Sequence, residues 1–134
     1  MRRDPESVSP EQYRTFYDLP VFVERWAELG LDGDDLLALR AALMASPSAG
    51  TMVPGAGGLR KLRFAPPTRR TGKSGAVRVY YAHLADFGVI VLAVVFGKSE
   101  AQDIGPTQRR ALARAVGAIR AALRERRDAR RRGQ

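Results

Sequence analysis

Cysteine is absent from the 134 residues, which excludes a disulfide framework and every thiolate-ligated metal site. Histidine occurs once, as His83, so a histidine-rich zinc site is excluded as well. Any chemistry is therefore expected to run without a metal or another cofactor. Long apolar stretches are also missing. The longest, Val89 to Phe96, falls far short of the roughly 20 residues that span a bilayer. The opening residues Met1-Arg2-Arg3-Asp4-Pro5-Glu6-Ser7 have no apolar segment of the kind that directs secretion, so a cytoplasmic location and no membrane partner are expected. Acid is in short supply too: 14 Asp and Glu stand against 23 Lys and Arg, a formal net charge of +9. Such a surplus favours an acidic partner, whether nucleic acid, anionic lipid or an acidic protein.

What the chain does have is 45% hydrophobic residues, enough for a core, in a length that suits one domain. Residues 1 to 11 are polar with two prolines and read as a flexible arm. Tyr13 to Tyr17 has the aromatic and β-branched content of a strand. Phe22, Trp26 and Leu29 then recur at helical spacing from Pro20 to a stop at Gly30, and Trp26 is read as core because it shares that stripe. Asp32, Asp34 and Asp35 suit the N-terminus of a second helix, whose Leu36, Leu39 and Leu43 run on toward Ser46-Pro47, so the two helices form a hairpin. After a brief extended piece at Met52-Val53, strands are expected over Leu59 to Ala65, Ala76 to Leu84 and Val89 to Phe96, the last two joined by Ala85-Asp86-Phe87-Gly88. The last strand is apolar on both faces and should be interior, covered by helices. Beyond Gly105-Pro106, Leu112, Val116, Ile119 and Leu123 step by 4, 3 and 4 along a long helix. Residues 124 to 134 carry many arginines and are expected to leave the domain as a basic tail. The sum is an α+β fold: an antiparallel meander of about four strands packed against an N-terminal helix hairpin, with a C-terminal helix.

The cations on these strands are the candidate site. Alternation puts Lys61 and Arg63 on one face of their strand, and antiparallel pairing brings Arg78 and Tyr80 to that same face while Val77, Val79 and Tyr81 take the other. His83 falls by parity on the apolar side and is read as structural. Lys98 ends the interior strand. Taken alone, such cations also serve to keep strands soluble and to discourage edge pairing. Gly57 and Gly58 admit two readings, a tight turn with positive φ or clearance for an approaching backbone. Gly72-Lys73-Ser74 and Gly97-Lys98-Ser99 are not phosphate loops, because Pro67 and Leu92 stand where the leading glycine belongs.

Pro54-Gly55-Ala56-Gly57-Gly58-Leu59-Arg60-Lys61-Leu62-Arg63-Phe64, then Gly72-Lys73-Ser74-Gly75 leading into Val77-Arg78-Val79-Tyr80-Tyr81, resembles the RelE/HigB toxins of type II toxin–antitoxin systems. The likeness takes in Leu19 to Trp26 and the strand ending at Gly97-Lys98, and covers residues 12 to 123. It implies a compact toxin domain that enters the ribosomal A site and cuts messenger RNA without a metal, the ribose 2′-hydroxyl attacking the adjacent phosphate. It implies a cognate antitoxin as partner, often a helix-turn-helix DNA-binding protein.

On that scheme Arg63 and Arg78 match the charge that develops on the equatorial phosphate oxygens, because guanidinium forks are fixed and bidentate. Lys61, flanked by Arg60 and Arg63, is the candidate general base, since neighbouring cations favour a neutral amine. Lys98 and Tyr80 are both candidates for the acid that protonates the leaving 5′-oxygen. Gly57, Gly58, Arg60, Arg69, Arg70 and Lys73 are the expected RNA contacts. The chain departs from many relatives in having Ser99 and Gly105 where a functional arginine and tyrosine stand near the C-terminus. That departure keeps a second reading open, a non-catalytic RNA-binding or regulatory module of the same fold acting only with its antitoxin. A third reading makes the chain only the structural half of such a complex.

Overall fold

Alternating apolar residues on the strands and 3.6-residue apolar stripes on the helices require a sheet with helices against its faces. The computed structural model describes residues 15–67, 75–98 and 104–133 and has that arrangement. Its elements run β1 (Thr15–Asp18), α1 (Pro20–Glu28), α2 (Gly33–Ala45), β2 (Thr51–Met52), β3 (Leu59–Phe64), β4 (Val77–Leu84), a 3₁₀ turn (Ala85–Phe87), β5 (Val89–Gly97) and α3 (Pro106–Arg132). The sheet order is β1-β5-β4-β3-β2. The expected meander is its centre, with β3, β4 and β5 antiparallel in succession. Two strands extend it: β2 pairs antiparallel with β3 at one edge, and β1 pairs parallel with β5 at the other, making a five-stranded mixed sheet. The parallel pair arises because the helix hairpin intervenes between β1 and the rest of the sheet.

The helix hairpin covers one face. Phe22, Trp26, Leu31, Leu39 and Leu43 pack there against Val77, Val79, Tyr81, Ile90, Leu92 and Val95. Trp26 stacks on Phe22 with centroids 5.2 Å apart, and its indole N–H donates to Asp32 O at 3.1 Å. A capping box opens α2: Asp32 accepts from the Asp35 amide at 2.9 Å, while Asp35 accepts from the Asp32 amide at 3.1 Å. The other face belongs to α3, whose Leu112 and Val116 are buried against Leu59, Ala82, Leu84, Val89 and Val91, with Ile119 and Leu123 alongside. The strand β5 is thus interior and covered on both sides.

The arginine-rich end does not depart as a tail. Within the described residues α3 continues to Arg132, because Arg, Ala, Leu and Glu all favour helix and the cations in its last turn complement the helix dipole. The apolar seam also gains one more turn, where the Arg127 guanidinium lies over the Phe87 ring, 4.7 Å from its centroid.

A buried tyrosine ties the α2–β2 connection to the sheet. The Tyr81 hydroxyl donates to Pro47 O at 2.8 Å and accepts from the Gly50 amide at 2.9 Å. A Cβ on Gly50 would stand 2.9 Å from the Tyr81 ring, so the backbone passes there only as glycine. Burial raises the Tyr81 pKa above its ordinary value of 10.0, against the smaller lowering effects of the Gly50 amide and the Arg60 charge. The neutral phenol is thus favoured by the fold. Its contribution to stability is complete below the ordinary tyrosine pKa and is lost as pH rises above about 10, because the unfolded chain ionises first. Urea midpoints measured across that range should fall, and Tyr81→Phe should flatten the fall while costing about 1–3 kcal/mol at neutral pH for the unpaired loop groups.

Candidate functional site

Register and parity decide which side chains meet on the α3 face. Lys61 of β3 stands opposite Tyr80 of β4, and Arg63 stands opposite Arg78. The helix covers the β3–β4 ladder where Leu59 and Ala82 pair, and the opposite end of the ladder, where Arg63 is exposed and Arg78 half-buried, carries an open cavity. Arg63, Arg78 and Lys98, with Ala76 and Val77, line about 180 Å³ there. No carboxylate is among these lining residues.

Lys98 reaches this face through a β-bulge. The β4–β5 register pairs Tyr80 with Val94 but Tyr81 with Leu92, leaving Ala93 as an extra residue of β5. Ala93 and Val94 consequently both pack on the α3 side, and Phe96 follows on that side opposite Arg78. Simple alternation from Val89 would have sent Lys98 to the hairpin face.

Two guanidinium groups directly opposed across a strand pair repel one another, an arrangement that costs stability of the order of 0.2–1 kcal/mol. Arg78 is held in it from behind, its Nη1 donating to Gly97 O and Lys98 O at 3.3 Å each. Those bonds fix the guanidinium to the end of β5, the segment that also carries Lys98. Beneath lies a packed aromatic floor in which Tyr80 meets Phe96 edge to face at 6.0 Å. Arg25 of α1 closes that floor from the far side, its guanidinium 5.4 Å from the Phe96 centroid and its Nε donating to Val95 O at 3.2 Å. Arg25 is a contact of this floor that sequence reasoning missed. Its signal was a place beside Trp26 in the α1 stripe, where an apolar residue is the norm.

Several expected site residues fall elsewhere. Tyr80 is on the correct face but fully buried, because α3 and Phe96 close over it, so its hydroxyl is not presented to a ligand. Arg60 has the opposite parity from Lys61 and Arg63, and its Nη1 donates to Gly50 O at 2.8 Å and Ser48 O at 3.3 Å, clamping the α2–β2 connection instead of facing the cavity. Gly57 and Gly58 have positive φ, 66° and 97°, and the neighbour that comes close to them is α3: a Cβ on Gly57 would meet the Ala113 Cβ at 3.0 Å. Trp26 is core, as expected. Arg69, Arg70 and Lys73 lie outside the described residues.

Fold and site together define a small α+β protein with an open cavity lined by Arg63, Arg78 and Lys98 at one end of its sheet. No family model matches the chain. Ten chains of solved structure do match it. One of them, described as the Escherichia coli toxin RelE in a double arginine-to-alanine mutant form in the free state, is similar over 75% of this chain and 94% of its own, with a TM-score of 0.48 and 17% sequence identity.

Proposed function

We propose that the chain is the toxin of a type II toxin–antitoxin system, a metal-independent endoribonuclease that cuts messenger RNA in the ribosomal A site. The observation that carries this reading is the cluster of Arg63, Arg78 and Lys98 around one open cavity, with no carboxylate lining it among the described residues. The motif likeness to RelE/HigB toxins supports it, as does the net charge of +9. In the reaction Lys61 takes the proton of a ribose 2′-hydroxyl, and the 2′-oxygen attacks the adjacent phosphorus. As that bond forms, the bond from phosphorus to the 5′-oxygen breaks, leaving a 2′,3′-cyclic phosphate and a free 5′-hydroxyl. Arg63 and Arg78 bear the charge of the pentacovalent state, and the ammonium of Lys98 donates a proton to the leaving oxygen. Because the nucleophile belongs to the substrate, the protein's task is positioning and charge stabilisation. Arg69, Arg70 and Lys73 extend the RNA contacts. The protein works in the cytoplasm and is held inactive there by an antitoxin, a helix-turn-helix DNA-binding protein, that covers the cavity.

Induction of the chain alone should arrest growth and translation, and co-expression of the adjacent reading frame should restore both. Harmless expression of a folded chain would overturn the toxin reading. Salt-sensitive RNA binding with no product would replace it with a non-catalytic RNA-binding module of the same fold.

A further inference from the structure

At the other end of β4, about 17 Å from Arg78 at roughly 3.4 Å per residue, a second cavity of about 200 Å³ opens between the 3₁₀ turn and α3. His83, Asp86, Arg120 and Arg124 line it together with Phe87. We propose that this notch is a second phosphate-binding site, one that grips the RNA backbone away from the scissile bond. Arg120 and Arg124 are one helical turn apart on the same face of α3, a like-charge spacing that destabilises a helix until an anion sits between the two groups. Neither has an ion-pair partner among the described residues, Asp86 included. The Arg120 guanidinium is set against the backbone at Gly58, where a Cβ would lie 3.5 Å from its Nη2, so one wall of the notch is rigid. Arg127 covers Phe87 one turn further on, which fixes the helix against the turn that forms the opposite wall. Exposed Arg131 continues the row of cations beyond it.

Guanidinium forks on a rigid wall suit phosphate oxygens, and contacts of this kind hold a strand without reading its sequence. Asp86 at the mouth disfavours a carboxylate-rich peptide that would approach it with several negative charges, whereas a single phosphodiester is accommodated between the two arginines. The two cavities flank opposite ends of β4, a separation that one RNA strand can bridge.

The RNA ligand rests on the proposed function, and the test separates the two claims by using a message that cannot be cut. Binding of a single-stranded RNA with 2′-O-methyl riboses is measured by fluorescence anisotropy against salt for the full chain, for Arg120→Gln/Arg124→Gln, and for Arg110→Gln/Arg114→Gln, which removes the same charge elsewhere on α3. Loss of the notch pair should weaken binding about tenfold, equally for different sequences, and reduce the slope of log K against log salt by about 0.7, the value for one phosphate on a single strand. The Arg110/Arg114 pair should leave the slope within error of the full chain. Equal effects of the two double variants, or none from either, would overturn the site. Binding dependent on Arg120 and Arg124 without any cleavage of ordinary message on translating ribosomes would sink the endonuclease reading and leave this inference standing.

Discussion

Replacing Arg78 by alanine is expected to slow cleavage of ribosome-bound message by about 10²–10³, the loss seen when a preorganised donor to a developing oxyanion is removed. The size follows from where the guanidinium is held. Bonds from Nη1 to Gly97 O and Lys98 O point the group along the end of β5 before any substrate arrives, so no reorganisation is needed as charge builds on phosphorus. The same substitution removes those two bonds, and a loss of about 1 kcal/mol in urea stability should accompany the kinetic one. Arg78→Lys separates the contributions. It restores the charge but not the fork, and is expected to recover only part of the rate. A rate unchanged in Arg78→Ala, with the fold intact, would remove Arg78 from the mechanism.

Arg63→Gln should pull stability and activity in opposite directions. Arg63 is exposed and stands directly across from Arg78, so its charge is a burden to the folded chain when no anion is bound. Removing that charge should raise stability by about 0.2–1 kcal/mol, most clearly at low ionic strength where surface repulsion is least screened. Cleavage should fall by about a hundredfold, because one of the two guanidinium groups proposed to bear the pentacovalent charge is gone. A simple solubilising role for Arg63 predicts the reverse pattern: activity retained and stability unchanged or lower. Measuring urea midpoints at two salt concentrations beside single-turnover rates distinguishes the two roles.

Much of this site is written in local patterns. The parity of Lys61 and Arg63, and the short loop-linked runs that become β3 and β4, are enough to bring Arg63 opposite Arg78, because antiparallel neighbours in a meander have few alternative registers that keep Val77 and Val79 inside. The α3 seam of Leu112, Val116, Ile119 and Leu123 is legible for the same reason, as a 3.6-residue period over many turns. Three features depend on contacts between distant residues and are not legible. The bulge at Ala93, which turns Lys98 toward the cavity, leaves no mark in a run where every residue is apolar. The depth of Tyr80 is decided by where α3 lies over the sheet, so parity identifies its face and not its exposure. The partners of Arg60 are backbone carbonyls of Ser48 and Gly50, which reach it only once the α2–β2 connection has folded over the sheet edge and been tied down by Tyr81.

The departure near the C-terminus takes on a physical meaning in this arrangement. With Gly105 at the N-cap of α3 and Tyr80 sealed in the core, Lys98 is the one of the two proposed acids that lines the cavity beside both arginines.

Mapping RNA ends on translating ribosomes addresses the central claim directly. Messages exposed to the intact chain should carry internal breaks with a 2′,3′-cyclic phosphate on one side and a 5′-hydroxyl on the other, and the folded Lys61→Ala/Arg78→Ala variant should produce none. Intact messages in the presence of the folded, unaltered chain, or the same breaks with the double variant, would contradict the account.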